Sequence, residues 1–261
     1  AALMLFVFGG PAQAQKADRP VTRVGDEWRF AVYYSVPSAT PNRIWVVTPA
    51  DDGWRRQEIA LPSLGAASAR PVDRYASDQL FITYQDFLTP PTLFIGAARQ
   101  PVEKLKSMPS FFDASRMTVQ QLEATSRDGT RVPYFVIGPD GLKNAPTMLY
   151  GYGGFEISLE PFYSGTLGRA WLARGGVLVV ANIRGGGEFG PAWHQAALKE
   201  KRQNSFDDLI AIAEDLARRG IAQPRQIGIR GSSNGGLLVG AALTQRPELF
   251  AVALPNAGHY D

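Results

Sequence analysis

Two textures of hydrophobic spacing divide the chain. From about residue 26 to 98, apolar and aromatic residues come in short runs at 28–34, 43–48, 79–84 and 92–95, separated by Pro and Gly clusters. Val, Ile, Phe, Tyr and Trp dominate these runs, and no helical spacing intervenes, which predicts an all-β unit. From about residue 118 the spacing changes. Residues 119–125 and 131–137 flank Arg127-Asp128-Gly129 and predict a hairpin. Residues 147–150 and 177–181 are short apolar runs suited to strands covered on both faces, and 226–229 and 251–254 predict two more strands. Between them, Leu209, Ile212, Ala213 and Leu216 fall at helical spacing. Ser205-Phe206-Asp207-Asp208 resembles a capping box in front of them, and Gly220 is placed to end the helix. Strands alternating with helices predict a mostly parallel sheet covered by helices.

The first residues carry two readings. Residues 1–8 are apolar, and Ala12-Gln13-Ala14 fits the small-residue rule before a signal cleavage site. A charged leading segment is missing, so such a signal is already truncated. The alternative is a propeller strand over residues 3–8. A signal implies a periplasmic or secreted protein; without one the expectation is cytoplasmic.

Composition narrows the chemistry. Apolar residues at 45% and charged residues at 20% of 261 suit a packed globular chain. The net charge of +3 comes without a basic run, so nucleic acid is not an expected partner. There is no cysteine, which excludes disulfides and thiolate chemistry, and the two histidines, His194 and His259, form no metal-binding pair. No metal and no cofactor are expected.

Gly231-Ser232-Ser233-Asn234-Gly235-Gly236 matches G-x-S-x-G with Ser233 at its centre. A strand precedes it and an apolar helix, 237–243, follows. A nucleophilic serine needs a sharp strand-to-helix turn, and small neighbours let the two elements approach. The helix start then offers backbone N–H groups to a developing oxyanion. Ser232 is a poorer candidate, because Arg230 stands where its frame needs glycine. The bland reading is a glycine-rich turn with a capping serine. Tyr150-Gly151-Tyr152-Gly153-Gly154-Phe155 follows the strand at 147–150, where a second oxyanion donor is expected. Tyr152 has an O–H to give; the alternative is a flexible loop with packed aromatics. Ile183-Arg184-Gly185-Gly186-Gly187-Glu188 lacks the G-K-[ST] of a phosphate loop and reads as a structural loop.

In order and spacing, these three glycine clusters and Gln245-Arg246-Pro247-Glu248-Leu249-Phe250 resemble the prolyl oligopeptidase family of serine peptidases. The resemblance implies an α/β-hydrolase domain preceded by a β-propeller, here a partial one of one or two blades. It divides the chain into residues 1–15 (the signal or strand), propeller blades at 16–115, and the first part of the hydrolase domain at 116–261. It implies cleavage of short peptides, after proline in the prolyl members, by a monomer that needs no membrane. Ser233 becomes the nucleophile, Tyr152 O–H and the Asn234 N–H the oxyanion hole, and Phe155 part of an apolar pocket for proline. The triad acid and base are expected beyond Asp261; His194 precedes the nucleophile and His259 follows it too closely. The chain as given is therefore expected to be inactive. An esterase or lipase on the same fold, or an inert fragment, are the rival readings.

Overall fold

A computed structural model describes residues 3–8, 29–34, 43–50, 53–62, 64–73, 79–97 and 100–260. The chain divides into two compact units. One comprises Ala1–Pro109 with Glu160–Tyr163, the other Ser110–Leu159 with Ser164–Asp261.

Among the described residues, the first unit holds two four-stranded sheets. In one, β1 (Leu3–Phe8), β2 (Arg29–Tyr34), β3 (Arg43–Ala50) and β4 (Gly53–Ile59) lie in sequence order. Here β1 pairs parallel to β2, while the remaining pairs are antiparallel. Residues 3–8 thus form a strand, while Ala12–Ala14 of the signal reading lie outside the described residues. In the other sheet, β5 (Ala66–Pro71), β6 (Gln79–Gln85), β7 (Thr92–Ala97) and β8 (Glu103–Ser107) form an antiparallel meander, the pattern of a propeller blade. Alternation drives it: Leu80, Ile82 and Tyr84 of β6 point inward and pack with Ile44, Ile59, Ala67 and Ala69.

The second unit begins at Ser110, a few residues before the expected boundary. Phe112 is buried in it, its ring so close to Gly168 that a Cβ there would lie 2.0 Å away. Its six-stranded sheet has the order β14-β13-β11-β12-β10-β9. β9 (Met117–Thr125) and β10 (Arg131–Pro139) make the expected hairpin, turning at Gly129 with φ +86°. β10 also pairs antiparallel with β12. β11 (Thr147–Gly151), β12 (Val177–Ala181), β13 (Ile227–Ser232) and β14 (Val252–Asn256) are parallel neighbours, as their four apolar runs predicted. The last starts one residue later than expected. All five residues of β12 are buried, whereas β14, the last strand in the order among the described residues, exposes Val252 and Leu254.

Four helices accompany the sheet: α1 (Gly165–Ala170), α2 (Pro191–Gln195), α3 (Gln203–Arg218) and α4 (Asn234–Gln245). Leu209, Ile212, Ala213 and Leu216 of α3 are buried with Leu149, Val179 and Ile229 of the sheet. The helix stops in a Schellman turn. Gly220, at φ +70°, donates to Ala217 O, and Ile221 N–H donates to Leu216 O. Its start differs from expectation. Ser205 is the third helical residue and caps nothing; its hydroxyl donates to Arg184 O at 2.7 Å. The local S-x-x-D pattern was overridden by a long-range acceptor that the fold supplies.

Connections leave neighbouring strands in opposite directions. From β11 the chain goes to β12 on one side, and from β13 to β14 on the other. The crevice outside the carboxyl ends of β11 and β13 is therefore a topological switch point, where open α/β sheets bind ligands.

Candidate active site

At the end of β13 the backbone turns sharply into α4, and Ser233 sits on the turn with φ 55° and ψ −117°. That conformation costs a non-glycine residue on the order of 1–3 kcal/mol. The surrounding glycines are steric requirements. A Cβ on Gly231 would lie 2.2 Å from Gly235 O, and one on Gly235 would lie 2.6 Å from Gly151 O. Ser233 N–H donates to Asn256 O at 2.8 Å, tying the turn to β14. The Ser233 hydroxyl has no hydrogen-bond partner among the described residues, whereas the Ser232 hydroxyl accepts from Asn256 Nδ2. Asn234 N–H is the first of α4 and so lacks an intrahelical acceptor. The structure thus separates the two serines: one hydroxyl is tied up, the other is free on a strained turn.

The Tyr152 loop lies against this turn. Tyr152 Cα is 3.5 Å from the position of a Cβ on Gly235, and Asn234 Nδ2 donates to Tyr152 O at 2.6 Å. Glycine is needed at 154, because a Cβ there would meet Asn234 Nδ2 at 2.3 Å. Gly153 takes φ +60°, with the Ile183 side chain filling the space a Cβ would need. Phe155 and Glu156 also have positive φ, 54° and 57°. Phe155 is 72% exposed, its ring 6.5 Å from that of Tyr152. Its apolar surface thus faces solvent.

Three further groups fix the loops: Arg202, which the sequence pattern did not mark, and Arg184 and Glu188 of the loop read as structural. Arg202 donates to Gly153 O at 2.6 Å and to Asn234 Oδ1 at 3.0 Å, and stacks over Phe206. The loop at 183–188 is more than a passive connection. Buried Arg184 pairs with fully buried Asp208 at 2.6 Å and with Asp128 at 2.5 Å, and also bonds Ser126 Oγ. Its guanidinium holds the Asp128 carboxyl down at about 2. Glu188 is the third. Its Oε1 accepts from Leu159 N–H at 3.0 Å, while its buried Oε2 has no partner among the described residues. Burial pushes its pKa up to about 7.

Neither histidine reaches Ser233 among the described residues. His194 Nδ1 lies 2.7 Å from Gly185 O, so it carries the proton and donates there. It cannot then also accept from Glu156 N–H, which bonds the same carbonyl at 3.2 Å. His259 is exposed. Asp208 is committed to Arg184, and Asp207 accepts from Gln203. Among the described residues no cluster of acids or histidines could hold a metal, and no helix is long and apolar enough to cross a membrane.

The sheet order, the serine on a strained strand-to-helix turn and the adjacent glycine loop define an α/β-hydrolase fold. The profile of the Prolyl oligopeptidase family matches residues 165–261. An uncharacterized peptidase of Sinorhizobium fredii is 48% identical over 76% of this chain and 28% of its own length. A prolyl endopeptidase of Elizabethkingia miricola is 38% identical over 78% of this chain and 29% of its own. A post-proline cleaving enzyme from Rickettsia typhi superposes with a TM-score of 0.75 at 33% identity, covering 87% of this chain and 35% of that structure. The chain belongs to the prolyl oligopeptidase family. It spans less than a third of the length of these two curated relatives.

Proposed function

We propose that this chain supplies the nucleophile and the oxyanion hole of a serine peptidase that cleaves short peptides after proline. The observation that carries the reading is the free Ser233 hydroxyl on a backbone held at φ 55°, with the Asn234 N–H and the Tyr152 loop beside it. Ser233 Oγ attacks the peptide carbonyl, and a base takes its proton. The carbonyl oxygen becomes an oxyanion held by the Asn234 N–H and the Tyr152 O–H. Collapse expels the amine, which takes up the proton, and leaves an acyl ester on Ser233. Water then releases the acid. Phe155 offers its exposed ring as one wall for the proline side chain, an apolar ring that other apolar surface can cover. The Elizabethkingia and Rickettsia relatives, named for prolyl or post-proline cleavage, support this choice of substrate.

The base and its acid are assigned outside the described residues, since neither histidine here touches Ser233. The 261 residues alone are therefore expected to turn over peptide slowly or not at all, since a serine without a base stays protonated. The test uses the protein expressed from its complete reading frame. An organophosphonate should label Ser233, and a proline-amide peptide should be hydrolysed in preference to an ester or an arginine-amide. Turnover of esters alone would establish the esterase reading instead. Absence of labelling at Ser233 would refute a serine hydrolase altogether.

A further inference from the structure

We propose that Arg202 is a positioning residue that sets the spacing between the two oxyanion donors. This rests on the peptidase reading above. The two donors belong to segments 82 residues apart, the loop after β11 and the elbow after β13. The β11–β13 pairing and the Asn234–Tyr152 bond bring them together, and a group that bonds to both from outside fixes their spacing further.

Arg202 does this with a single planar group. One amino nitrogen, Nη1, donates to Gly153 O at 2.6 Å, on the residue after Tyr152. The other, Nη2, donates to Asn234 Oδ1 at 3.0 Å, on the residue after Ser233. The Asn234 amide closes the ring by donating from Nδ2 to Tyr152 O at 2.6 Å. Chemistry fixes the amide orientation, because Arg202 can only donate and the Tyr152 carbonyl can only accept. The guanidinium is itself held by the Phe206 ring, 5.3 Å away, and by Ser205 Oγ at 3.3 Å. Space around the first acceptor is kept open: a Cβ on Gly185 would stand 2.3 Å from Gly153 O. No carboxylate forms an ion pair with Arg202 among the described residues, so its half-buried charge is spent on these acceptors rather than on a partner acid. A lysine has the charge but not the fork, and its one nitrogen has no rigid geometry for two acceptors on different segments.

The test compares Arg202→Met and Arg202→Lys in the protein expressed from its complete reading frame. Misplacing a catalytic donor by about 1 Å costs on the order of 100-fold. Arg202→Met should lower kcat by roughly that factor with KM within about threefold, and Arg202→Lys should recover part of the loss. Amide hydrogen exchange should quicken over residues 151–157 in the Met variant and stay unchanged over 206–216. A folded Met variant with kcat within threefold of the parent would overturn the proposal, as would a loss confined to KM. If the Met variant does not fold, Lys decides: unimpaired kcat and unchanged exchange overturn the proposal, and a partial loss supports it. If the parent protein neither labels at Ser233 nor cleaves peptide, the peptidase reading has failed, and exchange alone judges the clamp. Unchanged exchange over 151–157 then sinks it.

Discussion

Glu188→Gln isolates one buried carboxyl. Glu188 is 1% exposed, forms no ion pair among the described residues, and leaves Oε2 without a partner. Two donors on Oε1, Leu159 N–H and Asn182 Nδ2, pull its pKa down, but desolvation outweighs them and lifts it from 4.5 to about 7. The sign follows from linkage. The folded protein holds this proton more tightly than the unfolded chain, so its stabilising effect is complete below about pH 4.5 and fades as pH rises through 7. At about 1.4 kcal/mol per pH unit, the shift corresponds to roughly 3 kcal/mol. Gln keeps the shape and both hydrogen-bond acceptances but has no charge to bury. Denaturant unfolding of the two proteins between pH 4.5 and 8 should show their stability difference moving by about 3 kcal/mol in favour of Gln as pH rises. Groups common to both cancel. Asp128, whose carboxyl is held at about 2, responds below this window and in the opposite direction. A stability difference that does not change with pH would show that Glu188 is ionised without penalty and would refute the reasoning.

Asp208→Asn should cost up to roughly 3–5 kcal/mol of stability by thermal or chemical unfolding, because it removes the buried counter-charge of Arg184 and leaves that guanidinium with the half-exposed Asp128; Asp208→Ala should cost no less. Ser233→Gly should be more stable than Ser233→Ala by on the order of 1–3 kcal/mol, since only glycine relieves φ 55°, and both should lose organophosphonate labelling. Gly235→Ala should retain the fold of the sheet by circular dichroism yet lose labelling of Ser233, because the new Cβ must push Gly151 O aside. Gly220→Ala, where nothing lies within 4 Å of the new Cβ, should cost only the left-handed strain, about 1 kcal/mol, read as a shift in the unfolding midpoint.

What the sequence determined by itself was local. The elbow at Ser233 was legible because its requirements are close in sequence: a strand, bare positions on both sides of the serine, and an apolar helix directly behind. The four parallel strands were legible as short apolar runs spaced by helical patterns, although only β12 is buried along its whole length and β14 is apolar yet exposed. Where the chain had to meet itself, the sequence was silent. Nothing local marks Asp208 as the partner of Arg184, 24 residues away, or of Ser126, 82 residues away. Nothing local gives Arg202 its two acceptors or buries Glu188 without a counter-charge. Ser205 shows how the two levels compete: a capping pattern that reads well in isolation lost its serine to a carbonyl delivered by another loop. The crossover topology made that choice. It brings the ends of β11, β12 and β13 to one edge of the sheet, and only there can polar groups from distant segments satisfy one another away from water.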